Sequence, residues 1–220
     1  MKAEVIRSAR IHWAYAVPVL AASILTVAAC STSPGGDTTA SSTSAVTSVS
    51  STIAGHPPFP TLTVPTLQPP KQRNQNRPDV AFDPCTWIDD DTVKKLGYDP
   101  GTRKRTTDIN AEYTFLGCEF QSPDKAYGLG ILSGNRTMDE GRKKFTADGA
   151  QIEDTTVDGR AAMIIRTKTP DSCDVLLQTK AGYVDFDRTI AEYLIDGPTP
   201  ERCSGMADLV HGIVPRIGDN

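Results

Sequence analysis

The stretches IEDTTVDGRAAMIIRTK, residues 152–168, and CDVLLQTKAGYVDFDRT, residues 173–189, decide the fold. In the first, residues 152–157 and 160–168 are strand-forming runs on either side of Asp158-Gly159. That dipeptide suits the two left-handed positions of a tight hairpin turn. In the second, Ala181-Gly182 separates residues 173–180 from 183–189, which predicts another hairpin. Two consecutive hairpins mean four antiparallel strands, because links this short cannot carry a parallel crossover.

Working outward, residues 114–121 and 126–133 are two more strands, joined by Ser122-Pro123-Asp124-Lys125. Thr137-Met138-Asp139-Glu140 has the capping-box pattern, and the helix it opens should stop at Gly149. Upstream, Asp89 is a good N-cap for a short helix over 90–96, with Gly97 just past its end. At the C-terminus Thr199 is read as a cap with Pro200 at the first helical position. Cys203, Met206, Val210, Ile213 and Val214 then form one apolar stripe. The expected fold is therefore α+β, in the order α-β-β-α-β-β-β-β-α. An antiparallel sheet of about six strands packs against two or three helices.

Composition sets the boundaries of that domain. The chain has 220 residues, 38% apolar and 23% charged. Between residues 31 and 70 the one charged side chain is Asp37, and seven residues are proline. Such a stretch cannot bury enough apolar surface to offset its ordering entropy. Residues 30–78 are accordingly expected to be a tether, flexible where Ser and Thr dominate and stiffer where proline does. Residues 79–220 form the folded domain, with 25 Asp/Glu against 17 Lys/Arg, a net charge of −8. That balance argues against nucleic acid as a partner, since phosphate binding gathers Lys and Arg on one face.

Residues 1–29 have the pattern of an export signal. Lys2, Arg7 and Arg10 precede a nearly apolar run that ends in Val27-Ala28-Ala29-Cys30, the pattern of a bacterial lipobox. Cys30 is the expected lipidation site, its thiol taking a diacylglyceryl group. Two acyl chains on one cysteine make anchoring stable where one chain alone is marginal. The expected location is the outer face of the cytoplasmic membrane, in the cell envelope. The remaining cysteines, Cys85, Cys118, Cys173 and Cys203, are an even set in an exported domain. Four cysteines allow three pairings. Loops of roughly 30 residues favour Cys85–Cys118 and Cys173–Cys203, each worth about 3–4 kcal/mol in the chain-entropy model. The cysteines lack the close spacing of a structural zinc site, so no metal is expected.

Asp83-Pro84-Cys85 before a short helix, Leu116-Gly117-Cys118 on a strand, the Val157-Asp158-Gly159 hairpin and the two late cysteines form a recognisable series. Together with the lipobox and tether, it resembles the LprB/LprC-type envelope lipoproteins of mycobacteria and related actinobacteria. The shared domain of those proteins has no assigned function. The resemblance implies an exported, membrane-anchored protein and brings no catalytic residues with it.

Candidate chemistry is sparse. His211 is the one histidine of the domain and is read as a solvated helix residue. Cys203-Ser204-Gly205 has Arg202 where a nucleophile elbow needs glycine. Gly128-Leu129-Gly130 lacks the third glycine and helix of a dinucleotide fingerprint and reads as a strand with close backbone approach. Arg103-Lys104-Arg105 is read as a solvated basic loop, and Asn135-Arg136-Thr137 as a chance glycosylation sequon. Asp185 and Asp187 flank Phe186, so their carboxylates share one strand face, read as the wet face of a half-buried sheet. The expected function is a non-enzymatic binding or scaffold module for an envelope protein, a wall polymer or a lipid, needing no cofactor. The alternative is an envelope hydrolase or transferase using Asp185 and Asp187.

Overall fold

The computed structural model describes residues 62–106 and 108–220. The signal, Cys30 and the tether up to residue 61 lie outside the described residues. The folded part is a mixed α+β domain built on one antiparallel sheet of eight strands. The strands are β1 (Asp99–Arg105), β2 (Ile109–Asn110), β3 (Thr114–Gln121), β4 (Tyr127–Gly134), β5 (Gln151–Val157), β6 (Arg160–Arg166), β7 (Ser172–Gln178) and β8 (Tyr183–Ile190). They lie in the order β1-β3-β4-β8-β7-β6-β5, with β2 also paired to β3. The helices are α1 (Pro84–Trp87), α2 (Asp90–Lys95), α3 (Met138–Ala147) and α4 (Met206–Ile217).

The local signals act as expected at most of these elements. Asp158 and Gly159 take φ of 51° and 76°, the two left-handed positions of the β5–β6 turn. Asp89 accepts from the Thr92 amide, and Gly97 ends α2 with φ 85°. Thr137 and Glu140 form the reciprocal capping box at α3, satisfying two amides that the helix start leaves open.

The sheet is covered on both faces. Strand alternation sends Ile131, Val175, Val184 and Phe186 to one side, where they pack with Cys85, Val93, Val210 and Ile213 from the α1, α2 and α4 side. On the other face Phe115, Met163, Ile165, Leu176 and Tyr183 meet Phe145 of α3. Helix α3 sits close because Gly141 adds no Cβ, which would lie 2.8 Å from Leu176. The disulfides are Cys85–Cys118, which ties α1 to β3, and Cys173–Cys203, which ties β7 to the segment before α4.

Four expectations are corrected. Strands β1 and β2 were not foreseen, and Arg103-Lys104-Arg105 is the end of β1 rather than a solvated loop. Lys104 points outward, 74% exposed, toward Glu119. Arg103, its side chain 4% exposed, donates to the carbonyls of Cys85 and Ile88 and lies 5.0 Å from the Phe120 ring centroid. Arg105 donates to Leu67 O, Asp83 and Asp108. The last helix starts at Met206, not near Pro200, because Gly205 takes φ 74° and breaks the helical path just before it. Cys203 is thus held in the preceding turn, where Glu201 accepts from its amide.

Residues 62–78 are not free tether. Gln72 exchanges two hydrogen bonds with Val80, each of 2.8 Å. Asn74 accepts from Thr114 and Asn135, and Arg77 pairs bidentately with Glu140 at 2.7 and 2.9 Å. Polar side chains dock this strap, so its poverty of apolar residues did not announce a folded segment. Asn135 is 1% exposed, and its side-chain nitrogen is committed to Asn74 and Pro78 O. A sugar has no room to join it.

Peptide mapping without reduction should recover Cys85 linked to Cys118 and Cys173 linked to Cys203. A Cys118–Cys173 peptide would contradict the pairing. Replacing Cys85 and Cys118 together by serine should cost about 3–4 kcal/mol of unfolding free energy, measured by denaturant titration.

Candidate functional site

Asp185 and Asp187 do share one face of β8, but only part of it is wet: Asp185 is buried on the α3 side, whereas Asp187 is partly exposed. Asp185 is 9% exposed and stands opposite Leu176 of β7 in register. Asp187 is partly exposed and stands opposite Asp174, a residue the sequence reading passed over. Directly opposed carboxylates on one sheet face lie within strong electrostatic reach. Asp174 was discoverable as the lone acid inside the otherwise buried run of β7.

The three carboxyls have few partners. Asp174 Oδ2, Asp185 Oδ1 and Asp187 Oδ1 are each buried with no hydrogen-bond partner. Burial is the main force raising the pKa of all three, since it penalises the charged form. The Asp187 charge adds to the effect on Asp174, pushing it up to about 7, with Lys144 and Arg202 opposing. Asp185 is pushed well above the ordinary carboxylate range, with Asp174 and Asp187 adding to its burial. Among the described residues no group of three His, Cys, Asp or Glu is arranged to hold a metal ion. The cluster is a set of three carboxyls whose environment favours the protonated form more than water does. Asp187 gives it openings into two shallow hollows, one of about 520 Å³ beside Gly128 and Gly130 and one of about 370 Å³ beside Lys144 and Ser172.

The other candidate residues fall apart from this patch. His211, 68% exposed, lies 2.7 Å from Asp158 across the β5–β6 turn. Ser204 is exposed in the turn ahead of α4. A Cβ on Gly128 would come within 2.6 Å of Thr189 Oγ1, in keeping with close approach, whereas Gly130 has room for one.

A second site lies on the opposite, helical side. The end of α2, the β3–β4 turn and the first turn of α4 enclose a cleft of about 670 Å³. Tyr98, Tyr127 and Arg188 come together in it from three segments. The Arg188 guanidinium lies 5.9 Å from the Tyr127 ring centroid, and both residues act electrostatically on the Tyr98 hydroxyl. Burial pushes that hydroxyl up to about 12. Nη2 of Arg188 is held by the carbonyls of Arg202 and Ser204, at 2.6 and 2.7 Å, so its orientation is set by the chain before α4. No sequence motif links these three residues; only the tertiary fold assembles them.

The carboxyl patch gives a pH dependence whose sign follows from the raised values. A carboxyl that binds its proton more tightly when folded lowers stability as pH rises from its unfolded value near 3.9 through its folded value. Stability should therefore fall between about pH 4 and pH 7. Glu140 acts oppositely: hydrogen bonding to Arg77 holds it down to about 2, so its contribution is lost only as pH falls below about 4. Thermal unfolding of Asp185→Asn at pH 7.5 should show a gain on the order of 1–2 kcal/mol that shrinks toward pH 4. A variant no more stable at pH 7.5 than at pH 4, relative to wild type, would contradict the assignment.

No curated protein and no solved structure matches the chain. A family model described as a protein of unknown function (DUF3558) matches residues 25–216, which takes in Val27–Cys30, all four domain cysteines and every strand of the sheet. By that match the chain belongs to the family of proteins of unknown function DUF3558.

Proposed function

We propose that the chain is a lipid-anchored envelope lipoprotein of the LprB/LprC type, whose domain acts as a non-enzymatic binding module on the outer face of the cytoplasmic membrane. The observation that carries this reading is the pair of buried disulfides downstream of Val27-Ala28-Ala29-Cys30. Structural disulfides persist in oxidising compartments outside the cytoplasm. A cysteine directly after two small residues at the end of an apolar run supplies the site for diacylglyceryl attachment. The family match begins at residue 25 and so includes that motif with the domain. A tether ending in a docked strap keeps the domain within reach of membrane and wall, which raises its effective concentration toward surface-bound partners. Such a partner is an envelope protein, a wall polymer or a lipid. The alternative, a hydrolase or transferase working through Asp185 and Asp187, is disfavoured by the burial of Asp185 beneath α3.

Fractionation of an actinobacterial host expressing the full chain tests the anchor. The wild type should appear in the membrane fraction with a diacylated mass, and Cys30→Ala should remain as unprocessed precursor. An acylated mass on Cys30→Ala would contradict the anchor. Turnover of a wall glycan that disappears in a folded Asp187→Asn variant would overturn the non-enzymatic reading.

A further inference from the structure

The cleft between α2, the β3–β4 turn and α4 has a lining whose chemistry narrows its ligand. Two cations, Arg188 and Lys95, face two anions, Asp124 and Asp208, so the formal charges cancel and no single ionic sign is selected. Asp124 commits one carboxylate oxygen to the Ser122 hydroxyl and the Ala126 amide. Lys95 and Asp208 are exposed and stand in no ion pair among the described residues. Neither the Tyr98 nor the Tyr127 hydroxyl makes a hydrogen bond among the described residues. Leu96, Leu209 and the tyrosine rings supply apolar wall between these polar groups.

Donors and acceptors side by side around an apolar floor are the complement of a polyol ring. Each sugar hydroxyl both donates and accepts, and can bridge a carboxylate and a guanidinium or ammonium at once. The C–H faces of the ring need apolar or aromatic surface. A lone oxyanion would meet Asp124 and Asp208, and an acyl chain would leave the charged groups desolvated and unpaired, which is costly. A volume of about 670 Å³ is within the range of small-ligand sites.

We propose that this cleft is a saccharide-binding site, with Tyr98, Tyr127, Arg188 and Lys95 donating to sugar oxygens and Asp124 and Asp208 accepting from sugar hydroxyls. This rests on the binding-module reading and names its ligand class, an envelope glycan.

The test uses the full chain in detergent, titrated with short oligosaccharides of glucose, galactose, mannose, arabinose and N-acetylglucosamine, and with sodium phosphate. At least one oligosaccharide should bind. Tyr98→Phe combined with Tyr127→Phe, which keeps both rings, should weaken it by about thirtyfold, as expected for two lost hydrogen bonds of about 1 kcal/mol each. Asp208→Asn, on an exposed position of α4, should weaken it as well at unchanged melting temperature. Arg188 is avoided as a test because it also holds the chain before α4. Binding of none of these sugars, an unaltered affinity in both variants, or binding of phosphate alone would overturn the saccharide assignment. Failure here together with copurification of a stoichiometric protein or lipid would leave the envelope-module reading standing and remove the glycan alone.

Discussion

Asp83 is a buried carboxylate at the start of α1, and Arg105 is the cation that makes its burial tolerable. Asp83 is 2% exposed, caps the Cys85 amide and accepts from Thr86, and lies 2.6 Å from Arg105 Nη2. Burial pushes its pKa up while Arg105 pulls it down. From this pair other contacts extend. Arg105 also bonds Leu67 in the strap and Asp108, whose carboxylate accepts from the Gly117 amide beside Cys118. One guanidinium thus connects strap, α1, the β1 edge and the first disulfide. Removing one member of a buried ion pair leaves the other uncompensated, at a cost of about 3–5 kcal/mol.

That knot explains how an acidic domain keeps an edge strand of composition Asp-Pro-Gly-Thr-Arg-Lys-Arg. Alternation along β1 turns Arg103 and Arg105 inward and Lys104 outward. The inward arginines meet carbonyls and carboxylates, while the outward lysine keeps the edge soluble and discourages further strand pairing. The two faces of the sheet then differ in kind. The helical face is apolar in its core and opens at its margin into the mixed cleft. The α3 face carries three acids whose pKa values burial raises, with repulsion from neighbouring carboxylates adding to the effect.

Much of the fold was legible because its signals are local. Asp158-Gly159, the Thr137–Glu140 box, Asp89 with Gly97, and the two cysteine pairs each act within a few residues or a short loop. Strand β1 was not legible, since proline, glycine and charge are poor strand formers. Its stability comes from Asp83, Leu67 and the carbonyls of α1, all distant in sequence. The strap was hidden for the same reason: Asn74, Arg77 and Asn135 dock by hydrogen bonds that carry no periodicity. The shared face of Asp185 and Asp187 followed from alternation. The burial of Asp185 did not, because period two does not say whether a helix covers a face. The cleft was invisible, as Tyr98, Tyr127 and Arg188 come from three separate segments.

The most direct test of the Asp83–Arg105 constraint is a double-mutant cycle on unfolding free energy with Asp83→Asn and Arg105→Met. Each single variant should lose about 3–5 kcal/mol, and the double variant should lose clearly less than their sum, leaving a coupling of about 2 kcal/mol or more. Strictly additive losses, or an Arg105→Met variant as stable as the wild type, would contradict the account.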